Sequence, residues 1–547
     1  MVENKKKIHF YAQLCGLSAL MVAPLLFMVA LKWPKEHDLI FYAAISKEFS
    51  AQFWGGQLYP RWLMQLNAGF GSPVFLYYSP LAFYLLAPLQ WLAPFDPNGL
   101  ARVVLGMGAA LVVAGITSYH WLRGHFDETQ ARKGALLYAA FPYMPIIIYY
   151  NYGLASLWAI AFFPLALRAI DRLQHDGWRG VPRLAIALAL ICLAHMVSLI
   201  TFLIVPPTYL LVTAPRGARV RHCLYLATAA LLAMALCAVY LLPAQLNQPY
   251  IYTELFQKGI FLYSDHFWMM HSLFGFFCFI VPLLGLCVEQ PKGSRFPRLV
   301  TYWAVITGLL FFMVTPLSKP VWALAPYIQR LQFPMRFYLG MLPGAVFVAT
   351  YWLQRAKTRL IYPFLLLAML ALTVCNSWDS WFSDNDQLIS GNPFIAMGAN
   401  HVFQPRWVVR TEPTALKPQM EDAAIPDYLR GDVPQAAITQ GGGSVKVECW
   451  KPGDIRLHAN IATKTATILL HQFYFPDWVA DGVEFAPTNE GLLSFTLAKG
   501  EHEVVITRGD AGGERLGMWV SGVALLLLLT LLSPRRRAGS GYRHSAV

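Results

Sequence analysis

Apolar runs of about 20 residues, the length a helix needs to cross a bilayer, recur along the chain, as at 10–31, 101–122, 222–243 and 516–532. These four runs exclude a soluble fold, because a helix at an aqueous surface must keep one polar face. Of the 547 residues, 56% are hydrophobic and 13% charged, well below the charged share of roughly 25% in soluble domains. The net charge of +13 would suit a nucleic-acid partner, but the Lys and Arg residues gather in short loops between apolar runs. Such clusters read as cytoplasmic anchors, and no nucleic-acid partner is expected. The first run follows Lys5, Lys6 and Lys7. It is longer than the roughly 7–15 apolar residues of a signal peptide and has no small-residue cleavage site, so it reads as an uncleaved span with a cytoplasmic N-terminus. The eight cysteines sit mostly in or beside apolar runs and form no visible disulfide framework or metal motif.

Lys and Arg resist translocation, which sets the orientation. The loops with Arg123, Arg132 and Lys133, with Arg172, Arg179 and Arg183, and with Arg216, Arg219 and Arg221 fall on the cytoplasmic side, as do those with Lys292, Arg295 and Arg298, with Arg355, Lys357 and Arg359, and with Arg535 to Arg537. Segments 33–73, 244–270, 315–335 and 377–514 then lie outside. The run 183–213 enters and leaves on the basic side, which predicts two short helices meeting near His195 and Ser198. The run 74–94 would reverse the alternation if it spanned, and is expected to be re-entrant or juxtamembrane. The expected fold is a polytopic α-helical membrane protein of about twelve spans in a cytoplasmic (inner) membrane. Residues 1–376 form the transmembrane module with a first outer loop at 33–100, 377–514 an extracytoplasmic β-rich domain, and 515–547 the last helix and a basic tail. Alternating stretches at 444–449, 465–471, 493–497 and 502–507 predict a small β-sandwich. Gly441, Gly442 and Gly443 read as a turn, since no strand-to-helix context or Lys-Ser/Thr pair makes them a phosphate loop.

The first outer loop begins with Glu36, His37 and Asp38 and continues into 39–54, whose Ile40, Ala43, Ala44, Lys47 and Phe53 are expected on the bilayer surface. A carboxylate pinned at a membrane edge can act as a general base on an acceptor hydroxyl or amine. The same residues also suit a helix that simply ends in polar solvent, and periodicity does not choose between the two. Arg336 is a candidate phosphate ligand because a guanidinium grips phosphate bidentately, or else a cation reaching toward headgroups. Arg61, beside Tyr59 and Trp62, is either a second phosphate ligand or an interface anchor. His195 is an ionisable group in an apolar run, a substrate contact or a structural partner. Asn151 and Tyr152, in a short outer turn, are candidates to line the same cavity. His266 and His271 are five apart and do not share a helical face. No tightly bound metal or cofactor is expected, although a transient divalent ion could assist a phosphate. Trp450, Phe473, Tyr474 and Trp478 could stack on sugar rings or fill a strand core.

An acidic residue soon after the first span, the block GGQLYPRW (55–62), the block GFGSPVFLYYSP (69–80), QFPMRF (332–337), FYFPDWVADG (473–482) and LAKGEHEVVI (497–506) together resemble the membrane proteins named 6-pyruvoyl-tetrahydropterin synthase-related, a family placed in the GT-C superfamily of glycosyltransferases. Nothing in the residues suggests pterin chemistry. The resemblance implies transfer of a sugar from a polyprenyl-phosphate-linked donor to a lipid, polysaccharide or protein acceptor outside the membrane. It makes Asp38 the expected catalytic base and Arg336 the stabiliser of the leaving phosphate. Gln332, Tyr77, Tyr78, His37 and Arg61 become expected substrate contacts, joined by Asn151, Tyr152 and His195. Relatives often carry a His about four residues after the Asp, where this chain has Tyr42. A transporter or flippase, or a non-catalytic scaffold, are the rival functions. A transporter would show inverted repeats or buried charge pairs, and neither is evident in the sequence.

Overall fold

The computed structural model describes residues 2–31, 37–92, 94–252, 262–265, 267, 280–288, 295–355, 361–382, 403–408 and 433–533. His266 and His271 lie outside the described residues. The helices that matter here are α1 (Val2–Leu31), α2 (His37–Trp54), α3 (Val74–Tyr77), α4 (Leu81–Leu86), α5 (Leu100–Leu122), α6 (Glu128–Ala139), α7 (Tyr143–Tyr149), α8 (Leu154–Asp176), α9 (Val181–Ala194), α10 (Met196–Phe202), α11 (Val205–Thr213), α12 (Arg219–Leu236), α13 (Ala238–Leu246), α14 (Arg298–Phe312), α15 (Phe337–Arg355), α16 (Ile361–Phe382) and α17 (Glu514–Leu532). Seven helical stretches among the described residues are long and apolar enough to cross a membrane, or eight if the pair bent by 80° at Arg298–Phe312 and Pro316–Leu324 is one span.

Small and hydroxylated residues bring these helices together, as expected where lipid leaves little hydrophobic drive for helix association. On α5, Thr117 donates to the Ala161 carbonyl of α8 at 2.7 Å. On α15, a side chain at Gly344 would collide with Thr307 and Trp303 of α14, so only glycine permits that approach. Leucines such as Leu526 on α17 and Leu231 on α12 stay exposed, the pattern of a surface wetted by acyl chains.

One expectation changes over residues 37–92. The face of helix α2 expected on the bilayer surface packs into protein instead: Ile40, Ala43 and Ala44 are buried, and Lys47 alone of the five named residues is exposed. The reason is cover, since α2 packs on α5 on one side and on α4 and the 3-10 turn Ala87–Leu92 on another. As expected, the run 74–94 does not span: it is broken into the four-residue α3 and a short apolar helical stretch, Leu81–Leu92, too short to cross a bilayer.

The helix pair near His195 does break, with His195 extended at φ −162° between α9 and α10. That break orphans the Cys192 carbonyl and the Met196 N–H. The Ser79 hydroxyl serves both, donating to Cys192 and accepting from Met196, each at 3.1 Å. Irregular backbone beside an apolar segment is thereby satisfied by protein.

The β-rich part is a six-stranded antiparallel sheet among the described residues, where a two-sheet sandwich was expected. Its strands are β1 (Ala436–Gln440), β2 (Gly443–Lys451), β3 (Asp454–Phe473), β4 (Trp478–Val479), β5 (Phe485–Pro487) and β6 (Leu492–Arg508). The stretches 493–497 and 502–507 are one strand, β6, paired with β3 along nearly its whole length. Gly441 and Gly443 turn β1 into β2 at φ +85° and +151°, where L side chains are strained. The preceding helix α16 runs to Phe382, past the domain boundary at 376 expected from composition.

The sheet docks on the segment before α3 through the GFGSP block. Phe473 N donates to Phe70 O at 2.6 Å, Gln472 Nε2 to Gly69 O at 2.6 Å and Trp62 Nε1 to Gln472 Oε1 at 2.7 Å. Phe473 and Trp478 are buried, which assigns them to the packing core.

Candidate functional site

Asp38 lies in the first turn of α2, where the helix macrodipole favours a carboxylate. It is exposed, and its charge acts on Tyr42 one turn later, on Tyr78 and on Arg336. Tyr42 and Tyr78 join hydroxyl to hydroxyl at 2.7 Å. Burial pushes both hydroxyls above their ordinary range, so both stay protonated at neutral pH. The residue that departs from the resemblance, Tyr42, is thus the one that links the Asp38 turn to the aromatic block.

Arg336 reaches this cluster from a distant part of the chain. It ends the 3-10 turn Pro334–Arg336 that leads into α15, and Gln332 just before that turn is buried with φ +63°, a conformation rare for a residue with a side chain. The guanidinium donates to Leu331 O at 2.8 Å and stacks 4.9 Å from the Phe333 ring. Half-buried there, it acts electrostatically on Tyr42, Tyr78, Tyr143 and His195 as well as Asp38. Tyr143 of α7 donates to Met335 O at 3.3 Å and so buttresses the arginine turn.

His195 closes the group. Its ring centroid is 6.5 Å from that of Tyr78, and its Nδ1 is held by Ser198 Oγ at 2.7 Å and Ser156 Oγ at 3.2 Å. Phe403, from the chain before the sheet, stacks on Tyr77 at 5.9 Å and meets Tyr78 edge-on at 6.1 Å.

The other expected contacts are placed differently. Tyr77 turns away from Tyr78: its hydroxyl donates to Asn247 O at 2.7 Å, beyond α13. Arg61 is committed to an ion pair with Glu514 of α17 at 3.0 Å, with both terminal nitrogens 3.3 Å from Val239 O. A guanidinium held by carboxylate and carbonyl serves as a structural clasp. Asn151 and Tyr152, the latter buried at φ +47°, form the turn that starts α8, the helix that carries Ser156 to His195. His37 opens α2 beside Asp38. Sequence reasoning missed Tyr143, whose only mark was its place between two prolines in FPYMP, and Ser156 and Phe403, which carried none; Ser79 and Ser198 entered it only as part of the aromatic block and of the helix break.

Among the described residues, no group of three or more His, Cys, Asp or Glu side chains gathers as a metal site. The Asp38–Arg336 cluster is made of other groups. An exposed carboxylate, a protonated tyrosine pair, a half-buried guanidinium and an oriented imidazole could together receive a proton and hold a phosphate.

A polytopic membrane protein with a polar cluster at one end of its helix bundle and a docked β-sheet domain is the class that fold and site define. Within that class, the chain belongs to the 6-pyruvoyl-tetrahydropterin synthase related family of membrane proteins, whose model matches residues 75–383, more than half of the chain. A comparison with curated proteins gives no match.

Proposed function

We propose that this protein is a GT-C-type glycosyltransferase of about twelve spans in the cytoplasmic membrane, moving a sugar from a polyprenyl-phosphate carrier to an acceptor on the outer side. The observation that carries this reading is the cluster built around the Tyr42–Tyr78 hydroxyl pair at 2.7 Å, with Asp38 one turn before Tyr42, His195 6.5 Å from Tyr78, and Arg336 entering from the turn before α15. In the proposed step, an acceptor hydroxyl or amine gives its proton to the Asp38 carboxylate as its heteroatom bonds to the anomeric carbon. The bond from that carbon to the carrier phosphate oxygen breaks, and the electron pair leaves on the phosphate. Negative charge grows on that oxygen, and a half-buried guanidinium stabilises it more than one in open water would. Tyr42 and Tyr78 supply hydroxyl groups to the sugar or phosphate, and His195, with Nδ1 held by two serines, offers Nε2.

The test is transfer from a labelled polyprenyl-phosphate sugar by purified protein. Asp38→Asn should lower transfer by about 10²–10⁴-fold, the usual contribution of general base catalysis, while leaving the protein folded. Arg336→Gln should lose transfer with weaker donor binding. Transfer at the wild-type rate by Asp38→Asn would remove that carboxylate from the chemistry.

A further inference from the structure

At the end of the bundle opposite the Asp38–Arg336 cluster, where the basic loops gather, a cavity of 540 Å3 is lined by Arg123, Arg168, Arg172, Arg298, His120 and His125 among others. Its volume falls within the roughly 300–1,000 Å3 of small-ligand sites. Arg168 and Arg172 stand one turn apart on α8 and share a face. Arg123 follows α5 and Arg298 opens α14, so three separate elements deliver guanidinium groups to one concavity.

The lining holds a single carboxylate, Asp171, and it is already engaged. Tyr209 donates to its Oδ1 at 2.7 Å, and His125 Nε2 lies 2.9 Å from its Oδ2. No carboxylate among the described residues pairs with Arg123, Arg168, Arg172 or Arg298. Like charges this close repel, and a shared anion relieves that repulsion with charge-assisted, bidentate contacts.

A second, apolar groove of 650 Å3 continues from this cavity, with Val212 and Arg298 lining both. Between α11 and α14 it is walled by Leu211, Val305 and Ile306, and Leu211 and Val305 are exposed on the lipid-facing surface. A basic cavity that opens onto an apolar, outward-facing groove has the shape of an ionic headgroup joined to a hydrocarbon chain.

We propose that these joined spaces bind one anionic membrane lipid, its phosphate held among Arg168, Arg172 and Arg298 and an acyl chain lying along the α11–α14 groove. Basic pockets between membrane helices recognise lipid phosphates through this combination of charge and apolar contact. The site lies about 18–24 Å along α8 from the His195 side of the Asp38–Arg336 cluster, the rise of the 12–16 residues from Ser156 to Arg168 and Arg172 at 1.5 Å each. It stands whether or not the sugar-transfer reading holds.

The experiment uses full-length protein in neutral detergent, with native mass spectrometry and thermal unfolding reading the binding of phosphatidylglycerol, phosphatidylcholine and water-soluble glycerol phosphate. Phosphatidylglycerol should bind tightest and raise the unfolding midpoint. Arg168→Gln/Arg172→Gln should weaken its binding by at least about tenfold, as expected for loss of charge-assisted contacts. Arg298→Gln, at the exposed mouth where folding is not at stake, should weaken it several-fold, and the control Arg216→Gln/Arg221→Gln, outside the cavity, should not. Thr301→Trp, which fills the groove, should reduce lipid binding and spare glycerol phosphate. Undiminished phosphatidylglycerol binding by both Arg168→Gln/Arg172→Gln and Arg298→Gln, or equal binding of phosphatidylcholine, overturns the proposal. Glycerol phosphate binding as tightly as the lipid, with Thr301→Trp silent, would mark a soluble-phosphate site instead and overturn it too.

Discussion

Glu48 carries a carboxyl group into the packed interior of α2, where its Oε1 accepts from Gln52 Nε2 and from the Gln65 backbone N–H, each at 2.8 Å. Burial raises its pKa from 4.5 to about 8, with the hydrogen bonds only partly opposing. The folded state therefore holds a proton that the unfolded chain has lost, and stability falls as pH rises from about 4.5 through about 8. Glu48→Gln removes this component, on the order of a few kcal/mol at alkaline pH. The unfolding midpoint of the wild type should drop more steeply than that of Glu48→Gln between those limits, and parallel curves would show that the carboxyl is ionised in the fold. At the functional cluster, Tyr42→Phe removes the 2.7 Å bond to Tyr78, a loss of about 1 kcal/mol. It should lower sugar transfer several-fold, and adding Tyr78→Phe should cost less than the sum of the single effects, because each change breaks the same bond.

Elements are held here by positions that tolerate no side chain or no exchange of partner. Gly71 adopts φ +83°, and a Cβ there would sit on the Trp62 indole and the Gln472 amide, the pair that docks the sheet. Gly71→Ala should loosen β3 from the GFGSP block, destabilising by about 1–3 kcal/mol through strain. Limited proteolysis within 433–508 should then run faster than in wild type, and unchanged rates would mean that the docking is held elsewhere. The same scale explains what was legible. Alternation marked 444–449 and 465–471 as strands, since a half-buried strand repeats every two residues. It could not reveal that 493–497 and 502–507 are one strand, because Lys499 and Gly500 between them look like a turn until β3 pairs across them. Helix α2 was mistaken for a surface helix for a related reason: its mixed pattern reads as amphipathic, and only the cover from α4 and α5 buries it.

Across the whole molecule, Arg61 and Glu514 join the segment before α3 to α17, and Asp477 and Arg508 pair within the sheet domain beside Trp62. Arg61→Ala strands Glu514 in a mostly buried place and should cost about 3–5 kcal/mol. The apolar pair Arg61→Met/Glu514→Met should recover most of that stability, read by thermal unfolding. If sugar transfer disappeared in this stable double variant, Arg61 would hold substrate as well as structure. Arg102, fully buried near the start of α5, pairs with Asp96 at 3.4 Å and donates to Gln90 Oε1 at 2.8 Å. No such pair was evident in the sequence, since ionic partners are recognised by proximity and not by spacing.

The sequence alone determined that the chain lives in a bilayer, that a strand-rich segment precedes its last helix, and that its helix near His195 is broken. Length, apolar content and local punctuation dictate those features, and each is written in adjacent residues. Only the tertiary structure decided which polar groups meet. Asp38, Tyr42, Tyr78, Tyr143, His195 and Arg336 come from five separate segments, and Arg61, equally plausible in one dimension, is drawn off by Glu514. An arginine's partner is set by which charge lies within a few ångströms, and that distance exists only once the helices have packed.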